Sequence, residues 1–134
     1  MPSIAYYISG HGFGHAVRSA GVIRALVEAY PEMFVHVRTS APAMLFERLP
    51  PGNVQVHPVE VDAGVVERDG SLRVDPLQTF KQLKDFVKTL GDREQAEVEF
   101  VRRENIGLLL ADVPFLAGSI ADRIKPWRSV NISD

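Results

Sequence analysis

The sequence has 134 residues, with 15 Lys or Arg, 17 Asp or Glu and 4 His, and a formal net charge of −2. At 46% hydrophobic and 24% charged it reads as one globular domain with a single core, which argues against a disordered tail, a coiled coil or a collagen-like repeat. The mixed, slightly acidic charge argues against a nucleic-acid binder, and the lack of cysteine excludes disulfides, thiolate metal sites and cysteine nucleophiles.

Ile4, Ala5, Tyr6, Tyr7 and Ile8 form a short apolar run rich in strand formers, closed by the glycine-rich segment Gly10-His11-Gly12-Phe13-Gly14. From Ala16 the period changes: Ala16, Ala20, Ile23 and Val27 share one helical face, Arg18, Ser19 and Glu28 fall elsewhere, and the helix ends near Tyr30-Pro31. A second strand is expected over 34–39, a short helix over 43–49, a turn over 50–53 and a third strand over 54–59. A polar loop then runs from Asp62 to Asp75.

Asp75-Pro76 with Gln78 is a helix start, an N-cap followed by proline and a capping-box glutamine. Leu77, Phe80, Leu83, Val87 and Leu90 mark its apolar stripe, Gly91-Asp92 bends or restarts it, and helix continues to about Arg103. Residues 106–111 read as a strand covered on both faces, 115–124 as a helix and 129–132 as a fifth strand. Strand and helix alternate throughout, which predicts an α/β fold: an open parallel sheet with helices on both faces, in one domain over 1–134.

No stretch reaches the ~20 uninterrupted apolar residues of a membrane span, because Asp112 and Pro114 break the most apolar one. The N-terminus lacks the basic region of a signal peptide. A cytoplasmic location follows as the expectation, with peripheral attachment to a membrane as a second one.

The glycine-rich loop sits where open α/β sheets bind ligands, and a helix N-terminus behind it favours an anion such as a phosphate or diphosphate. It does not fit a dinucleotide fingerprint: His15 or Val17 stands at the last glycine position, and Thr39-Ser40 stands where an acidic residue would end the second strand. It does not fit the ATPase phosphate loop either, which needs Gly-Lys followed by Ser or Thr. His11 and His15 are spaced like helical metal ligands, but glycines separate them in a turn, so no metal is expected. Asp112 closes the fourth strand. It either caps the helix expected after it or points into the crevice, where it would face His15 and fix the tautomer of a general base.

The run from Tyr7 through His15 to Arg18, followed by Val22-Ile23-Arg24-Ala25-Leu26, resembles the opening of GT-B glycosyltransferases. It is most similar to the glycosyltransferase-like proteins with a Gly-His-Gly-Phe-Gly-His-Ala motif, a group that includes the N-terminal region of plant arabinose kinases. Asp62-Ala63-Gly64 with Asp69 and Asp75 looks like the loop of that group, and 109–114 resembles its fourth strand. The resemblance implies a Rossmann-like, acceptor-side half of a two-domain, metal-independent, inverting enzyme that moves a sugar from a nucleotide-sugar co-substrate to a small-molecule or lipid-linked acceptor, with no further cofactor. It implies His15 as general base and Asp112 as its orienting carboxylate. Gly10, His11, Gly12, Phe13, Gly14, Arg18 and Asp62 would line the substrate cleft, with Arg18 able to neutralise a phosphate. The sequence stops in the fifth strand, so a donor-binding half is missing and the chain is expected to be inactive alone. Two other expectations remain: a non-catalytic phosphate-binding, nucleotide-binding or interaction module on the same fold, and a homodimer that pairs an open strand edge.

Overall fold

Five parallel strands frame the computed structural model, which describes residues 3–62, 75–112 and, for the backbone, 128–131. They are β1 (Ser3–Ile8), β2 (Phe34–Thr39), β3 (Val54–Pro58), β4 (Leu108–Asp112) and β5 (Arg128–Asn131), in the order β3-β2-β1-β4-β5. β1 lies at the centre, and its last residue, Ile8, pairs in register with Thr39 on one side and Asp112 on the other. This is the open α/β sheet the alternating pattern predicts. The helix expected over 115–124 falls outside the described residues, as does Asp69.

Side chains alternate across the sheet, so each face builds its own core. Ile4, Tyr6, Ile8, Val35 and Val37 meet helix α1 (Gly14–Ala29) through Ala16, Ile23 and Val27. Ala5, Tyr7, Leu109 and Ala111 meet Val98, Phe100 and Val101 of helix α3 (Leu90–Arg103). Each such fully buried branched side chain contributes about 1.5–3 kcal/mol. Ser19, assigned by periodicity to the outer part of α1, is fully buried, because its hydroxyl reaches a carboxylate at the end of β4.

Three boundaries differ from the expected ones for a local reason. The helix expected over 43–49 is a single 3-10 turn, Ala43–Phe46, between Pro42 and Pro50. Helix α2 (Pro76–Lys88) starts as expected, with the Asp75 carboxylate accepting from the Gln78 N–H at 3.1 Å. It breaks at Thr89 rather than at Gly91, where the Thr89 hydroxyl donates to the Phe86 carbonyl at 3.1 Å and competes with the helical bonding. α3 ends in a left-handed Asn105 (φ 54°), with Ile106 N–H bonded to Val101 O and Asn105 N–H to Arg102 O. That paired cap uses Asn105 and Ile106, the Gly107 N–H turns to the Ser3 carbonyl of β1, and β4 begins at Leu108.

Most of the apolar stripe read on α2 is not covered by the core. Leu77, Phe80, Leu83 and Val87 are exposed, and Phe86 is the buried residue of this helix. α2 packs on α3 rather than across the sheet, and periodicity records only that a stripe exists.

Candidate active site

The carboxyl ends of β1 and β4 lie side by side, and the loop from Ser9 to Phe13 leads from β1 into α1 above them. Two of its glycines are dictated by the backbone. A Cβ on Gly10 would sit 1.8 Å from Ser40 Oγ and 3.0 Å from Ala41 N, so the loop can pass the end of β2 only without a side chain. Gly12 has φ +84°, a left-handed conformation that disfavours other residues. Gly14, the first residue of α1, has open space where a Cβ would be. Phe13 is exposed at the N-cap of α1 and provides no side-chain cap for the first amide groups of the helix.

Asp112 is fully buried and points to the α1 side of the sheet. The first turns of α1 supply all its described partners. His15 Nδ1 lies 3.3 Å from Oδ1, Arg18 donates through Nη2 to Oδ1 at 2.5 Å and through Nε to Oδ2 at 3.3 Å, and Ser19 Oγ donates to Oδ2 at 3.1 Å. Residues 15, 18 and 19 share one helix face, which is why one carboxylate can collect all three. A carboxylate accepts, so the His15 proton sits on Nδ1 and the Nε2 lone pair is left as a base. Asp112 thus meets His15, and the helix it was alternatively expected to cap lies outside the described residues. Arg18, read as a phosphate ligand, lies on Asp112 with half its side chain exposed. Ser19 is the member the sequence reading missed; a hydroxyl one residue from Arg18, beside an apolar helix face, is its only trace.

His11 turns toward the segment after β3. Its Nε2 donates to the Asp62 carbonyl at 3.2 Å and lies 3.7 Å from Asp62 Oδ1, while its N–H donates to Ser9 Oγ. His11 and Asp62 are thus brought together, and His11 and His15 face different carboxylates rather than a shared metal position. Among the described residues no group of three or more His, Asp or Glu could hold a metal ion. No helix among them is long and apolar enough to cross a membrane.

On the α3 side of the sheet, Arg38 Nε and Nη2 reach Glu97 Oε1 and Oε2 at 2.8 and 2.6 Å, and the Tyr7 hydroxyl donates to Oε1 at 3.1 Å. Burial drives the Tyr7 hydroxyl pKa well above its ordinary value, with the Glu97 charge adding to the shift. This network ties β1, β2 and α3 together, and neither Arg38, alone in β2, nor Glu97, one of several charges in α3, gave a motif to read.

Strand order, helices on both faces and a glycine-rich loop after the central strand define a Rossmann-like α/β domain, the fold of a GT-B glycosyltransferase half. Solved structures bear this out at the level of the fold. An anthocyanidin 3-O-glucosyltransferase in complex with UDP aligns with a TM-score of 0.61 over 96% of this chain and 29% of its own, at 19% identity. A UGT transferase from Siraitia grosvenorii in complex with UDP aligns with a TM-score of 0.57 over 98% and 27%, at 16% identity. Acinetobacter baumannii MurG aligns with a TM-score of 0.55 over 98% and 34%, at 10% identity.

In sequence, the chain is similar to L-arabinokinase of Arabidopsis thaliana, 34% identical over 121 residues, 88% of this chain. The chain spans 11% of the length of that relative. No protein-family model matches it. Of the resemblance read from the sequence, the solved structures share the GT-B glycosyltransferase fold and the sequence relative is the arabinose kinase.

Proposed function

We propose that this chain is the acceptor-side half of a glycosyltransferase that takes its sugar from a nucleotide-sugar, with His15 as the general base. The observation that carries the reading is the 3.3 Å contact between His15 Nδ1 and a buried Asp112 at the carboxyl edge of the central strands. The UDP held by two of the structural neighbours supports the nucleotide-sugar part of it.

In this mechanism the acceptor hydroxyl gives its proton to His15 Nε2. Its oxygen bonds to the anomeric carbon as the bond from that carbon to the diphosphate oxygen breaks, which inverts the centre. The imidazolium keeps its Nδ1–H on Asp112, whose negative charge stabilises it. Nucleoside diphosphate leaves, and a separate donor half binds it. Arg18 and Ser19 position Asp112.

The test is sugar transfer by a polypeptide that joins this chain to its donor half. His15→Ala should lower kcat by about 10²–10⁴-fold with little change in donor KM. Unchanged kcat in that variant would remove the base assignment. UDP binding by an unaltered protein that transfers no sugar would favour the second reading, a nucleotide-binding module, for which the uncapped N-terminus of α1 speaks.

A further inference from the structure

Between α2, the N-terminal turn of α3 and the segment after β3 lies a cavity of about 280 Å³. Its wall includes His11 from the glycine-rich loop, Glu60 and Asp62 beyond β3, Gln82 and Asp85 of α2, and Arg93 of α3. We propose that this cavity is the acceptor pocket and that it selects a neutral polyhydroxylated ring, a monosaccharide or a cyclitol. The inference rests on the acceptor-side reading above and adds the chemical class of the acceptor.

The argument is one of donors and acceptors. Three carboxylates face the cavity, and Arg93 is the one guanidinium among its described lining residues. Each nitrogen of Arg93 already gives one N–H to the protein: Nη1 to the Glu60 carbonyl at 3.2 Å, Nη2 to Glu60 Oε2 at 3.3 Å and Nε to Thr89 Oγ1 at 2.9 Å. Its guanidinium also lies over the Phe86 ring, 4.8 Å from the centroid. The His11 Nε2 proton goes to the Asp62 carbonyl, which leaves an Nδ1 lone pair. With three carboxylates against the Gln82 amide and the remaining N–H groups of Arg93, the wall carries more acceptor sites than donors, and it complements a ligand that presents many donors. Vicinal hydroxyls do so, because each carboxylate can accept several hydrogen bonds at once.

The same features disfavour other occupants. A diphosphate or another anion would meet three carboxylates, against one guanidinium whose charge is already paired with Glu60. A flat aromatic aglycone needs an open apolar face, but Phe86 is only 5% exposed and Arg93 covers its ring. The volume also falls at the bottom of the ~300–1,000 Å³ range of drug-sized pockets, the size for a single ring.

The test is an NMR titration of this chain, with amide shifts read at His11, Glu60, Gln82 and Asp85. The probes are free glucose, galactose and myo-inositol, and in parallel inorganic pyrophosphate, spermidine and a flavonol. Saturable shifts at these residues with at least one sugar or the cyclitol are expected. Asp85→Asn and Gln82→Ala, both at exposed positions of α2, should each weaken that binding about fivefold or more without altering the rest of the spectrum. No saturation with any polyol up to about 50 mM, or affinity unchanged in both variants, overturns the proposal. So does preferential occupation by pyrophosphate, spermidine or the flavonol. Because the readout is binding, the two readings fail separately. Polyol binding without sugar transfer sinks only the catalytic reading, and transfer to an acceptor that leaves these residues unshifted sinks only the pocket.

Discussion

Arg18 grips Asp112 by both oxygens, yet the two residues stand in different solvents: the Arg18 side chain is 50% exposed and that of Asp112 is 0% exposed. That asymmetry makes the two ends of the pair unequal. If Asp112 is made neutral, Arg18 can turn to water. If Arg18 is removed, a carboxylate stays buried with only His15 and Ser19. Arg18→Leu should therefore destabilise the fold by about 3–5 kcal/mol, and Asp112→Asn by less, about 1–3 kcal/mol. Urea unfolding followed by circular dichroism measures both. The reverse order would mean that Asp112 is held mainly by Ser19 and the sheet.

The Arg38–Glu97 pair lacks that asymmetry, since the side chains are 11% and 4% exposed. Neither charge can reach water when its partner is lost. Arg38→Met and Glu97→Gln should each cost about 3–5 kcal/mol. The double variant Arg38→Met with Glu97→Leu should cost much less than their sum, because no charge is then left buried. Additive costs would show that the network stabilises through packing against Phe100, over which Arg38 stacks at 3.9 Å, rather than through charge.

Much of this architecture was legible in the sequence, and the limits of that reading have physical causes. The strands of the sheet and the start of α2 were visible because burial, period and the Asp75 cap all act locally. The meeting of His15 with Asp112 was legible only as a consequence of strand order, since β4 had to lie beside β1. The Asn105 cap was missed because the usual signal there is glycine. The exposure of the α2 stripe was not legible, because an amphipathic pattern does not say what the stripe faces. Arg38 and Glu97, 59 residues apart, are joined only by the fold.

The glycines of the loop separate into two kinds, which mutation can tell apart. Gly10→Ala would drive a Cβ into Ser40 and Ala41, including backbone atoms, so the loop must move. Gly14 has no heavy atom within 4 Å of the added carbon and is not in a left-handed conformation. Gly14→Ala should be neutral or stabilise by about 0.4–1 kcal/mol, because alanine narrows the unfolded ensemble. Gly10→Ala should destabilise by about 1–3 kcal/mol and shift the amide resonances of residues 40 and 41. Equal melting temperatures for the two variants would show that the Ser40 turn yields freely.

His36 and His57 supply a pH dependence far from the candidate active site. Their rings meet at 3.1 Å, Nδ1 to Nε2, on neighbouring strands, and the Phe100 ring stands edge-on to both at 5.4 and 5.3 Å. Burial lowers the pKa of each below its ordinary 6.5. The Arg38 cation lowers both further, and His57 also feels His36, while Glu104 on the far side opposes the shift for both and Glu97 opposes it for His57. In the unfolded chain both imidazoles take up protons near pH 6.5, before the folded chain does. The unfolded state therefore binds more protons below that pH, and stability falls as the pH drops from about 6.5 toward the lowered folded values. Above pH 7 both states are neutral at these positions and the pair adds no slope. The denaturation midpoint should accordingly decline between pH 7 and pH 5, and His36→Phe, which removes one titrating ring and leaves His57 without its partner, should flatten that decline. A midpoint that is level across this range, or a decline unchanged in the variant, would assign the acid sensitivity to carboxylates elsewhere.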